Sequence, residues 1–122
     1  MKLIKFTDSE ASMSMEVIID GTDLWHYEYS GDDVITNSSK LGKPKNHPLG
    51  LCKNLDGDRN KWRIHLGNKS ANPIEINLQI NWFENGELIE TWIPDEANED
   101  GKVDLAGNDG VEITDSALIT KK

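Results

Sequence analysis

Four residues with oxygen-bearing side chains are spaced like part of a calcium-binding loop. Glu96, Asn98 and Asp100 occupy positions 1, 3 and 5 of such a loop. Asp104 occupies position 9, but Gly107 stands at position 12, where a bidentate carboxylate should close the site. Ca²⁺ binding is therefore the alternative to a solvated acidic loop, and we expect the protein to need no metal or other cofactor.

Three aromatic residues lie at alternate positions of another segment, namely Trp25, Tyr27 and Tyr29. Successive side chains of a strand point to opposite faces, so these rings share one face. On an exposed face they would form a platform for stacking sugar rings, whereas in the interior they would be part of the core. With only four Trp, two Tyr and two Phe in the chain, the core needs these rings. Burial is therefore favoured, and carbohydrate binding is the alternative.

Residues that commonly carry catalysis are few and scattered. His26, His47 and His65 do not have the spacing of a zinc site. Cys52 is the only cysteine, so it cannot form an intramolecular disulfide, and the sequence gives no reason to place a base beside it. Nucleophile-elbow and phosphate-binding glycine motifs are absent from the sequence. We therefore expect a protein that is not an enzyme.

Carboxylates are most crowded between residues 95 and 115, where Lys102 is the only base. Such crowding causes repulsion that a cationic surface would relieve. The net charge of −9 also makes a nucleic-acid partner improbable. We expect this small acidic protein to bind and neutralise a basic protein partner, as an immunity protein or inhibitor does; the alternative is a non-catalytic carbohydrate- or Ca²⁺-binding module. The expected partner-binding residues are Asp95, Glu96, Glu99, Asp100, Asp104, Asp109, Phe83, Leu88 and Trp92.

A β-hairpin from Pro73 to Ile93 is the element that must position much of this set. Apolar and polar residues alternate from Ile74 to Trp82, as in a strand with one buried face. Asn85 and Gly86 follow, and this pair favours a type I′ turn.

That turn predicts the pairing of the two hairpin strands. Phe83 should pair with Leu88, and Trp82 with Ile89. By alternation, Phe83, Leu88 and Trp92 then share the outer face, while Ile93 faces inward.

Short alternating segments and turn signals recur along the rest of the chain. Asp20 and Gly21 separate two such segments and predict a second hairpin. Residues 37–50 are predicted to form a long loop, residues 51–55 a brief strand, and no helix is expected. Eight or so strands favour one all-β domain over residues 1–122, an antiparallel β-sandwich built from hairpins, with a small β-barrel as the alternative.

Hydropathy and charge set the expected environment of the protein. The sequence has no apolar segment long enough for a signal peptide or a membrane span. We therefore expect a soluble cytoplasmic protein with no membrane partner. Residues 40–69 hold eight basic and two acidic residues between two acidic ends. These basic residues could neutralise the acidic ends or form a patch of their own.

Overall fold

The structure is a computed structural model that describes residues 1–41 and 46–122. The described residues form ten strands, a 3₁₀ turn at Ser39–Leu41 and one α-helical turn, α1 (Cys52–Leu55). The strands are β1 (Lys2–Phe6), β2 (Ser12–Asp20), β3 (Leu24–Ser30), β4 (Val34–Ser38), β5 (Asn46–Leu51), β6 (Arg59–Gly67), β7 (Ile74–Glu84), β8 (Glu87–Trp92), β9 (Lys102–Leu105) and β10 (Gly110–Lys121).

The strands form two sheets packed face to face, which confirms the all-β sandwich. Sheet A has the order β1-β10-β6-β3-β4. Sheet B has the order β5-β2-β7-β8. β9 pairs with the first residues of β7, along the same edge of β7 that pairs with β8 nearer the hairpin turn. All pairs are antiparallel except β1 with β10, which run parallel. In the described part of the chain the strands form two open layers and no closed barrel.

The alternating apolar residues of both sheets point into the space between the layers. Their inward faces make one continuous core, as expected for a sandwich. The largest of the fully buried side chains are Trp82, Tyr27, Tyr29, Phe6, Ile4, Met13, Met15, Ile64, Leu66, Ile76, Leu78 and Ile80.

The predicted second hairpin at Asp20 and Gly21 is wrong, because β2 and β3 lie in different sheets. Gly21 has a φ of 108°, and a Cβ there would collide with the carbonyl oxygen of Glu75. The chain thus turns tightly against β7 and crosses from one layer to the other. Two alternating segments joined by a short turn can place their apolar faces on opposite sides of a core as readily as side by side.

The hairpin of β7 and β8 is confirmed, but its register differs from the prediction. Asn85 and Gly86 have φ values of 47° and 82°, as a type I′ turn requires. Phe83 pairs with Leu88 as expected. A register shift then occurs between Trp82 and Phe83, and Trp82 pairs with Glu90 instead of Ile89.

This irregularity reverses the faces of the second half of β8. Ile80 pairs with Trp92, so Trp92 points into the core and is only 4% exposed. Ile93, predicted to face inward, is 48% exposed. A β-bulge adds one residue to one strand, and every side chain beyond it changes face. The sequence pattern of β8 alone does not reveal the added residue.

The predicted loop over residues 37–50 is also corrected. β4 continues to Ser38, and β5 begins at Asn46 and pairs with the edge of β2. Residues 42–45 of the predicted loop lie outside the described residues. Pro48 and Gly50 obscure the strand pattern of β5, but both are tolerated at a sheet edge with an irregular register.

The prediction that the chain contains no helix also needs correction. The sequence predicts a strand over residues 51–55, yet Cys52–Leu55 form the helical turn α1. Cys52 and Leu55 are buried, so a single turn suffices to direct both side chains inward. No helix among residues 1–41 and 46–122 has the length and apolarity needed to cross a membrane.

Candidate functional site

The loop between β8 and β9 carries most of the predicted acidic contact residues and is folded back on itself. The amide of Ala97 donates to the carbonyl of Pro94 at 3.0 Å, and Pro94 is buried. The amide of Asn98 donates to the carbonyl of Lys102 at 2.8 Å. These bonds hold a compact loop whose outward positions are acidic. The exposed carboxylates in it are Asp95, Glu96, Glu99 and Asp100.

Asn98 organises this loop through the hydrogen bonds of its side-chain amide. Its Oδ1 accepts hydrogen bonds from the amides of Asp100 at 3.0 Å and Lys102 at 3.1 Å. Its Nδ2 faces the carboxylate of Asp104 at 3.5 Å. The oxygen that the calcium alternative assigned to a cation therefore caps the backbone. A local turn stabilised by an Asx side chain accounts for the position of Asn98 without a metal ion.

The carboxylates of this region have few cationic neighbours. Nζ of Lys102 lies 3.8 Å from Oε2 of Glu75 on the outer face of β7 and β9. Within the described residues, no ion pair involves the four loop acids or Asp104. Asp104 is exposed and pairs across the strands with Glu75. Among the described residues, one edge of sheet B therefore presents a cluster of negative charge in which Lys102 is the base that an ion pair places nearby.

Exposed apolar side chains lie on the same sheet as these carboxylates. Leu88 is 57% exposed at the tip of the hairpin, and Phe83, its cross-strand neighbour, is half-buried. Ile93 is 48% exposed and directly precedes the acidic loop. We define the acidic face as this set: Asp95, Glu96, Glu99, Asp100, Asp104, Phe83, Leu88 and Ile93.

Two residues of the predicted contact set do not belong to the acidic face. Trp92 lies in the core, and its Nε1 donates to Oδ2 of Asp115 at 2.9 Å. Asp109 lies in the turn that leads into β10 of sheet A, and its Oδ1 accepts from the amide of Gly110. The acidic residues between positions 95 and 115 are therefore distributed over both sheets.

Sheet A presents a more balanced outer face. Its central strand β6 contributes Lys61, Arg63 and His65, which alternate with the buried side chains of that strand. Arg63 Nε lies 2.8 Å from Oε1 of Glu112 on β10, and Glu28 is its cross-strand neighbour on β3. These bases of residues 40–69 are thus interleaved with carboxylates on sheet A. They do not neutralise the acidic face of sheet B.

The aromatic stripe is part of the core, which removes the sugar platform. Trp25, Tyr27 and Tyr29 are 6%, 2% and 1% exposed. Tyr29 stacks on Trp62 with ring centroids 5.8 Å apart, and its hydroxyl accepts from Nε1 of Trp82 at 3.1 Å. Burial raises the pKa of the Tyr29 phenol, so the ring remains neutral. These rings cannot contact a ligand on the surface.

Cys52 is buried, and its surroundings disfavour the thiolate form. Burial raises the pKa of the thiol, and the carboxylates of Glu84 and Asp8 raise it further. His47, the nearest histidine in sequence, instead lies 2.7 Å from the hydroxyl of Tyr27. Because a thiolate is the reactive form of cysteine, this environment is typical of a structural residue.

No family model, curated protein or solved structure matches this chain. The geometry of its own residues is therefore the basis on which a function can be proposed.

Sequence reasoning missed Glu84, which joins the two sheets. Its carboxylate accepts hydrogen bonds from the amides of Thr7 at 2.9 Å and Asp8 at 3.0 Å, and from Oγ1 of Thr7 at 3.0 Å. Thr7 directly follows β1 of sheet A, whereas Glu84 ends β7 of sheet B. In the sequence, Glu84 looks like an ordinary polar residue beside a turn, and nothing there indicates this role. Only the tertiary structure brings residues so distant in sequence together.

Proposed function

We propose that this protein is a non-catalytic cytoplasmic binding protein that captures and neutralises a basic protein partner through the acidic face. The observation that supports it best is the exposed group of five carboxylates without an ion-pair partner among the described residues, with Ile93 exposed beside it and Leu88 exposed at the hairpin end of the same sheet. Uncompensated surface charge costs free energy in the isolated protein, and a basic surface would recover it.

The two kinds of side chain on the acidic face have different roles in this proposal. The carboxylates of Glu96, Glu99 and Asp100 attract the partner over a distance and accelerate the encounter. Leu88 and Ile93 supply the apolar area that slows dissociation once water is excluded. The balanced charge on sheet A would give an approaching cationic protein no comparable attraction. In the proposed complex the partner therefore faces sheet B.

Charge reversal provides the test. In the triple variant Glu96→Lys, Glu99→Lys and Asp100→Lys, we expect the fold to be unchanged because all three side chains are exposed. We expect the basic protein captured by the wild type from a lysate of its native cells to be lost. With that protein purified, association of the wild type should slow by about tenfold or more from low to physiological salt, because screening weakens steering. Stopped-flow fluorescence measures this rate.

A matched variant controls for the change in net charge. Glu10, Asp23 and Glu28 are also exposed, and none of them belongs to the acidic face. Their replacement by Lys changes the net charge by the same amount, yet it should preserve capture. If the first variant retains full capture, or if both variants lose it equally, the acidic face is not the contact surface.

A further inference from the structure

A row of three side chains crosses the outer face of sheet A at one level. His65 on β6 pairs with His26 on β3 on one side and with Glu112 on β10 on the other. Cross-strand neighbours on one face have Cβ atoms about 5 Å apart. His65 therefore lies between His26 and Glu112, within side-chain reach of each.

One pair of donor atoms in this row has nearly the separation that a transition-metal ion requires. His26 and His65 stack with ring centroids 4.1 Å apart and an interplanar angle of 17°. His65 Nε2 lies 3.7 Å from Oε2 of Glu112. Two ligands of a tetrahedral Zn²⁺ ion, each bonded at about 2.0–2.1 Å, are separated by about 3.3 Å. One histidine nitrogen and one carboxylate oxygen are thus already close to the separation that a shared ion requires.

Arg63 pairs with one oxygen of the Glu112 carboxylate, and the other oxygen faces His65. Its Nε lies 2.8 Å from Oε1 of Glu112. Oε2 of Glu112 is the oxygen that faces His65. Outer partners that orient a ligand in this way raise metal affinity in known sites. Arg63 is accordingly a positioning residue for Glu112.

The row is accessible from solvent. His26, His65 and Glu112 all line an open groove of about 450 Å³ that Leu24 and Asp109 also border. The side chains of His65 and Glu112 are 37% and 43% exposed. A metal ion bound here would have space for a further ligand, such as water or a group from another molecule.

We propose that His26, His65 and Glu112 bind Zn²⁺ in an open site on the outer face of sheet A. As the described residues stand, no three His, Cys, Asp or Glu side chains surround a common point. In this row the donors do not converge because the imidazole rings stack face to face, so their in-plane lone pairs lie in nearly parallel planes. Exposed side chains change rotamer within nanoseconds, and metal binding requires one ring to turn so that the three donors converge. Positions 26, 65 and 112 are far apart in sequence, and only the pairing of β3, β6 and β10 aligns them.

The test is titration of the metal-free protein with ZnCl₂ by isothermal calorimetry. We expect one ion per chain with micromolar affinity. His26→Ala and His65→Ala should each weaken binding by at least about tenfold, and Glu112→Gln and Arg63→Gln by about 10–100-fold. All four side chains lie on the surface, so the circular dichroism of each variant should match the wild type. Zn²⁺ should also raise the melting temperature of the wild type, since a ligand that binds the folded state stabilises it.

Nuclear magnetic resonance of the imidazoles supplies an internal control. The ring signals of His26 and His65 should shift on adding Zn²⁺, while that of His47, which contacts Tyr27 on the inner side of the sandwich, should not. The proposal is overturned if no signal responds up to ~0.1 mM Zn²⁺, or if His65→Ala binds as tightly as the wild type. Because the site lies on the opposite sheet from the acidic face, neither result bears on partner capture.

Discussion

Replacing Trp82 by Ala is expected to destabilise the protein by about 3–5 kcal/mol, the range for truncating a large buried aromatic residue. Trp82 is fully buried, its ring centroid lies 5.6 Å from that of Trp62, and its Nε1 donates to Tyr29. The substitution removes packing between the two sheets and also leaves the Tyr29 hydroxyl without its donor. Urea unfolding followed by circular dichroism measures the loss.

Two further variants separate packing from hydrogen bonding. Trp82→Phe keeps an aromatic ring but removes the donor to Tyr29, and we expect it to cost about 1–3 kcal/mol. Leu88→Ala truncates a large apolar residue that is 57% exposed, and it should change stability by no more than about 0.5 kcal/mol. A loss below about 1 kcal/mol for Trp82→Ala would mean that this face of β7 does not line the core.

Replacing Glu84 by Ala is expected to cost about 2–4 kcal/mol at pH 7, because the amides of Thr7 and Asp8 lose a charged acceptor that links the two sheets. Glu87→Ala is the matched control, since Glu87 is the exposed cross-strand partner of Glu84 at the same hairpin end. That variant should stay within about 0.5 kcal/mol of the wild type. Urea unfolding of both variants gives the comparison.

The contribution of Glu84 should also depend on pH. Burial alone would raise its pKa, but the hydrogen bonds from Thr7 and Asp8 outweigh burial and lower the pKa below its usual value. A lowered pKa in the folded state stabilises folding above the unfolded-state pKa, and this stabilisation is lost as pH falls through the folded-state pKa. The stability difference between wild type and Glu84→Ala should therefore shrink as pH falls from 7 into the acidic range. A difference that stays constant would contradict the assigned role of the carboxylate.

Local patterns in the sequence were sufficient to predict most of the strands but few of their partners. The alternation from Ile74 to Trp82 and the turn at Asn85 and Gly86 predicted the central hairpin, because side-chain period and turn conformation are local properties. The bulge after Trp82 and the crossing of the chain at Gly21 depend on contacts with other strands. No local pattern encodes them, so alternation alone places Trp92 on the wrong face.

The two candidate sites also differ in whether the sequence alone reveals them. The acids from Asp95 to Asp104 are close in sequence, and the sequence alone is enough to recognise them as a group. The row of His26, His65 and Glu112 draws one residue from each of three strands that are separated along the chain. Its members look like isolated surface residues in sequence, because only sheet register makes them neighbours.

Amide hydrogen exchange of the wild-type protein, alone and bound to the basic partner captured from lysate, tests the proposed contact surface most directly. We expect slower exchange in the bound state for residues 87–105, which include β8, the acidic loop and β9, and unchanged exchange in β3 and β4 of sheet A. Protection confined to β3, β4 and β6, with residues 87–105 unaffected, would contradict the assignment of the acidic face as the binding surface.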